Sequence, residues 1–113
     1  MHELADIINK VHCADCLDFM RDMPDGCVDC VITSPPYNVG LDYGEYKDKV
    51  DVAEFESGIG DVLRETYRIS QESARAYWIV GDKMLWWIRN KAEEAGWKYA
   101  QMLVWCKPNL IKS

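Results

Sequence analysis

Hydrophobic positions along the chain fall into two kinds of pattern, short apolar runs and stripes at helical spacing, and the two alternate. Val28 to Ile32 is the most compact run and predicts a buried strand. Ser73 to Val80, rich in β-formers at Tyr77, Trp78, Ile79 and Val80, predicts a second. Trp97 to Cys106 predicts another, stopped by Lys107-Pro108, and Ile7 to Cys13 an earlier one interrupted by Asn9 and Lys10. Helical stripes lie between them. Leu17, Phe19, Met20 and Met23 suggest a short helix, closed by the turn signal Pro24-Asp25-Gly26. Val52, Phe55, Ile59, Val62, Leu63 and Thr66 recur at helical spacing. Gly58 and Gly60 each cost about 1 kcal/mol relative to alanine, so a kink is expected there, or a helix that starts at Gly60. Met84 to Ala95 is the last stripe, with Gly96 as its C-cap. Its Trp86 and Trp87 read as packing, in a core or an interface.

The predicted order is strand, helix, strand, loop, helix, strand, helix, strand. Such alternation argues for an α/β fold with a mostly parallel, doubly wound sheet and flanking helices. At 113 residues the chain is one domain at most. Hydrophobic residues make 49% of it and charged ones 28%, the balance of a globular protein rather than a disordered one. No apolar run reaches the length of a membrane span and residues 1–20 lack a signal-peptide core, so a cytoplasmic location is expected.

Candidate chemistry centres on Val31-Ile32-Thr33-Ser34-Pro35-Pro36-Tyr37-Asn38. Two consecutive prolines cannot continue a strand ladder, and Ser34 is held extended by the proline after it. The result is a stiff loop at the carboxyl end of a strand, where open α/β sheets bind their ligands. It offers a hydroxyl, backbone carbonyls outside regular structure and the ring of Tyr37, a set suited to a flat, amino-bearing ring. No histidine lies near to activate Ser34, since His2 and His12 are elsewhere, so a serine-hydrolase reading is poor.

Thr33-Ser34-Pro35-Pro36-Tyr37 resembles the catalytic (Asp/Asn/Ser)-Pro-Pro-Tyr motif of the S-adenosylmethionine-dependent DNA methyltransferases that modify N4 of cytosine or N6 of adenine. The lead-in Cys13-Ala14-Asp15-Cys16-Leu17, then Met23-Pro24-Asp25-Gly26, is similar to that family's too, as is Val104-Trp105-Cys106-Lys107-Pro108-Asn109 near the end. The resemblance implies a partial Rossmann-like methyltransferase fold. It makes Ser34, Pro35, Pro36 and Tyr37 catalytic and places Asp15, Thr33 and Asn38 at the cofactor, S-adenosylmethionine. Asp15 has an equally good reading as a helix N-cap. The implied partner is double-stranded DNA with a flipped base, and a serine at the first motif position favours cytosine N4 over adenine N6. In members that begin with the catalytic motif, the cofactor-binding glycine-rich turn comes last. No G-x-G follows a strand here, since Gly58-Ile59-Gly60 lies inside a helical pattern. Residues 1–113 are therefore expected to be the catalytic half of one domain. The glycine-rich half and the target-recognition region would lie outside it, and either the missing half or another chain would complete the sheet.

Charge cuts against direct phosphate binding, because a net −6 and a pI near 4.8 have the wrong sign. A basic surface elsewhere is expected. Segment 40–48, with its glycines and aromatics, reads equally as a mobile cover over a ligand site or a plain surface loop. Two further readings compete with the methyltransferase. Cys13-x2-Cys16 and Cys27-x2-Cys30 could hold zinc in a small nucleic-acid module. The ten-residue spacer is short for that, neither pair has a tightening glycine, and Cys30 is expected as a small buried thiol of the strand. Alternatively, the chain could be a non-catalytic half that docks onto a separate cofactor-binding chain.

Overall fold

A parallel pair of strands forms the centre of the computed structural model, which describes residues 3–36, 42–43, 46–47 and 51–106. The elements in chain order are α1 (Leu4–Ile7), α2 (Cys16–Arg21), β1 (Val28–Thr33), β2 (Asp42–Tyr43), β3 (Tyr46–Lys47), α3 (Val52–Ile69), β4 (Ser70–Trp78) and α4 (Leu85–Ala95). β1 and β4 run parallel, with Cys30 opposite Arg75, Ile32 opposite Tyr77 and Thr33 opposite Trp78. The register is irregular between Val28 and Cys30. β2 and β3 form a separate antiparallel pair.

The core lies on one face of the β1–β4 pair. Phe55, Ile59 and Leu63 repeat every four residues on α3 and meet Met84 and Ile88 at α4. Trp78, Val80, Trp87 and Trp97 pack around them, and Leu63 is fully buried. Phe55 and Trp87 meet edge to face at 5.8 Å, and the indole N–H of Trp97 donates to the Leu63 carbonyl at 3.2 Å. Among the described residues no element covers the other face of the pair. Alternation along the pleat puts Cys30 and Ile32 beside Arg75 and Tyr77 there, and Ile32 is 71% exposed. Parallel sheets are ordinarily covered on both faces, so this one carries half its usual cover.

Several expectations are corrected. Ile7–Cys13 is not a strand: Leu4–Ile7 is one helical turn, and residues 10–13 lack regular structure. Asn9 there takes φ 60°, which a strand does not allow. Trp97–Cys106 also forms no ladder, and Met102, Leu103, Val104 and Trp105 are exposed. Its apolar content is that of a strand, but no described strand pairs with it. α3 runs unbroken through Gly58 and Gly60 and starts at Val52, because Asp51 caps it by accepting from the Ala53 N–H at 3.2 Å. Its long apolar stripe outweighs two glycine penalties. The second strand begins and ends earlier than Ser73–Val80, at Ser70–Trp78. Trp86 is 77% exposed and takes no part in the core. β1 itself is only half-buried, and Cys30 is exposed rather than in the core. Among the described residues no helix is long and apolar enough to cross a membrane.

Gly96 closes α4 at φ 115°, and a Cβ there would meet the Tyr67 ring at 2.7 Å. Gly58, in mid-helix, has nothing within 4 Å of the same position. Gly96→Ala should therefore lower the unfolding free energy by about 1–3 kcal/mol. Gly58→Ala should raise it by about 0.5–1 kcal/mol. Urea denaturation of the two variants checks the pair; a Gly96→Ala protein as stable as the parent would contradict the close approach.

Candidate functional site

The carboxyl ends of β1 and β4 lie side by side, held by the Ile79 N–H donating to the Thr33 carbonyl at 2.9 Å. Directly beyond that bond the chain leaves β1 as Ser34-Pro35-Pro36. Pro35 is buried and Pro36 half-buried, while Ser34 is exposed. A buried proline with fixed φ anchors the loop and leaves the serine on its outer side. On the neighbouring strand, residues 79–81 lead into a turn in which Gly81 accepts from the Met84 N–H and Asp82 Oδ1 from the Lys83 N–H. Thr33, Ser34, Pro35 and Pro36 are thus brought together at one rim. Tyr37 and Asn38 lie outside the described residues, as does most of segment 40–48.

Asp15 lies at the start of α2. Its Oδ1 accepts from the N–H groups of Leu17 at 3.0 Å and Asp18 at 3.1 Å, so it is the N-cap of that helix. It is exposed, and its second oxygen has no partner among the described residues.

An open apolar cleft of about 310 Å³ lies at the other end of β1, lined by Leu4, Ile7, His12, Phe19, Cys27 and Val28 among others. The His12 ring lies 4.6 Å from that of Phe19, and His12 Nε2 is 3.1 Å from the Ile7 carbonyl. At about 3.3 Å of rise per residue, a cleft at Val28 is some 20 Å from Ser34. It does not serve the loop.

The zinc reading finds no support in the geometry of the described residues. Cys13, Cys16 and Cys30 are exposed, Cys27 is half-buried, and all five cysteines are free. Among the described residues no three His, Cys, Asp or Glu side chains come close enough to hold a metal ion. Desolvation, and after it the charge of Asp15, raise the Cys16 thiol above its ordinary pKa, so it is a poorer ligand and nucleophile.

Arg68, in the last turn of α3, was not singled out by the sequence. Its Nη2 donates to the Met20 carbonyl at 2.6 Å, and its Nη1 to the Met23 carbonyl at 3.0 Å and to Asp25 Oδ1 at 2.5 Å. Its Nε donates to Glu65 Oε2 at 2.5 Å, and its own carbonyl accepts from the Gly26 N–H at 3.0 Å. The hydrogen bonds to Glu65 and then Asp25 hold the guanidinium above its usual pKa. This one residue ties the end of α2 and the turn before β1 to α3. The available signal was weak: an arginine three residues after a glutamate on a helix.

Comparison with known proteins gives a consistent picture. The family profile described as DNA methylase matches residues 28–113. A Type II methyltransferase of Bacillus subtilis, M.BglII, is 31% identical over 75 residues, covering 66% of this chain and 20% of that protein. M.HpaI of Haemophilus parainfluenzae is 26% identical over 97 residues, 85% of this chain and 31% of that one. M.MjaVI of Methanocaldococcus jannaschii is 28% identical over 104 residues, 84% and 54% respectively. The chain therefore spans between a fifth and about half of these relatives. No solved structure matches it.

Loss of the Arg68 clamp should be felt in stability. Arg68→Met keeps the apolar stem but leaves two backbone carbonyls without their donor, and should cost about 1–3 kcal/mol. Arg68→Lys should recover only part, because one ammonium cannot span the same acceptors as a planar fork. Urea denaturation measures both; an Arg68→Met chain within about 0.5 kcal/mol of the parent, the range of an ordinary surface change, would remove the clamp from the account.

Proposed function

Since the chain belongs to the DNA methylase family, we propose that it transfers a methyl group to the exocyclic amine of a base in double-stranded DNA, with cytosine N4 as the target. The observation that carries this reading is the placement of Ser34-Pro35-Pro36 at the paired carboxyl ends of β1 and β4. Type II methyltransferases among the relatives support the DNA substrate and a restriction–modification setting.

The base is flipped out of the duplex into this loop and stacks on Tyr37. An exocyclic amine is a poor nucleophile, because its lone pair is delocalised into the ring. Hydrogen bonds from the amine to Ser34 Oγ and the Pro35 carbonyl favour a pyramidal nitrogen, which frees that lone pair. This is orientation and electrostatic stabilisation aimed at the transition state. Ser34 accepts a hydrogen bond and does not attack. S-adenosylmethionine supplies an activated methyl group on a sulfonium. The described residues suit it in part: Asp15, with one oxygen used for capping and the other without a partner among the described residues, can receive an amine or hydroxyl hydrogen, and in sequence Thr33 precedes and Asn38 follows the loop. In this reading residues 1–113 supply the base-binding half of the domain. The face that no described element covers and the single ladder of β1 support further polypeptide, from this chain or a second, completing the sheet.

Two measurements test this. Ser34→Ala should slow the single-turnover methyl-transfer rate more than it weakens DNA binding, because its contact strengthens in the transition state. Equal losses in rate and binding would remove Ser34 from that role. Mass spectrometry of nucleosides from DNA modified by the enzyme should find N4-methylcytosine; N6-methyladenine as the sole product would overturn the choice of base.

A further inference from the structure

Trp86 leaves a large ring in water on the side of α4 opposite Met84 and Ile88, which enter the core. On α4, Asn90 is four residues and Arg89 three residues from Trp86, so both neighbour it, and Lys83 is exposed in the turn just before the helix. Tryptophan suits interaction surfaces, because its ring supplies apolar area and its N–H a donor.

Charge selects the partner. No acidic residue occurs from Lys83 to Ala92, while Lys83, Arg89 and Lys91 do. Residues 83–113 carry six lysines and arginines against two glutamates, a net +4, whereas residues 1–82 carry seven against seventeen, a net −10. The overall −6 thus hides a basic portion that begins at the turn before α4. Arg89 is committed to Glu93 at 3.3 Å and lies over the Tyr99 ring at 4.0 Å, and Lys91 pairs with Glu94 at 3.7 Å. Lys83 makes no ion pair among the described residues, and the carboxylate of its neighbour Asp82 is turned onto the Lys83 backbone N–H. Position points the same way, since this turn follows the carboxyl end of β4, which is hydrogen-bonded to the residue preceding Ser34.

We propose that Lys83, Trp86 and Asn90 form a docking surface for the sugar-phosphate backbone of duplex DNA, flanking the base received at the Ser34 loop. It rests on the reading of the chain as a DNA-modifying enzyme. Lys83 and Asn90 donate to phosphate oxygens, and the Trp86 ring covers the adjoining sugar with its N–H turned to the backbone. The contact is indifferent to sequence.

The test is anisotropy of a short labelled duplex titrated with the 113-residue chain at a series of salt concentrations. Lys83→Ala should weaken binding by a similar factor for any duplex sequence and reduce the slope of log affinity against log salt by about 1. Duplex should quench tryptophan emission in the parent, and that change should shrink in Trp86→Phe. Arg21→Ala, an exposed cation on α2, should alter neither. All three positions are exposed, so thermal melting of the variants should match the parent. Parent binding with unchanged affinity and slope in both Lys83→Ala and Trp86→Ala would overturn the surface alone. No duplex binding by the parent at low salt would overturn the surface, while the family reading, which rests on other grounds, would stand. Self-association abolished by Trp86→Ala, with DNA binding intact, would give the face to a second copy and overturn the proposal.

Discussion

Two strands 45 residues apart must meet in parallel, in register, before anything at their carboxyl ends has a shape. The pairing of Thr33 with Trp78 and the hydrogen bond from the Ile79 N–H to the Thr33 carbonyl set where β1 stops. The two prolines then make that stop abrupt. Parallel pairing needs a long crossover, and here α3 supplies it. The same helix provides Phe55, Ile59 and Leu63 to the core, so the element that connects the strands is also what covers them.

Arg68 extends the constraint backwards along the chain. Its contacts to the Met20 and Met23 carbonyls, with the Gly26 N–H on its own carbonyl, bring the entry to β1 against the end of α3. Gly26 turns there at φ 64°, a conformation that favours glycine. One strand is therefore held at both ends, by a guanidinium where it begins and by a ladder bond where it ends. The rim is thus fixed by one contact beside it, at Thr33, and by others at the far end of the strand.

Much of this was legible from the residues, and what was not has identifiable causes. The strand at Val28, the α4 stripe and the Gly96 cap were readable because each carries its own local signal, an apolar run or a helix stop. The start of α3 was misplaced because intrinsic glycine cost was weighed above a four-residue apolar repeat that tertiary packing rewards. The strands expected at Ile7–Cys13 and Trp97–Cys106 illustrate a different limit. Apolar content makes a segment able to pair, but a ladder also needs a neighbour, and sequence pattern does not report neighbours. The loop at Ser34-Pro35-Pro36 was legible as a stop at the end of β1 through its two prolines. The Arg68 clamp was not, because its acceptors are backbone carbonyls more than 40 residues away.

The separation of β1 from β4 also has a meaning in time. A ribosome adds about 5–20 residues per second, so β4 is made about two to nine seconds after β1. Loop closure and hairpin formation take microseconds or less. Over that interval β1 waits first for its covering helix α3 and then for its ladder with β4, and until each arrives Ile32 and Val31 are open to other edges. The charges that precede and interrupt it, Asp25 and Asp29, then act as guards rather than as structure, repelling a second nascent copy until the crossover arrives.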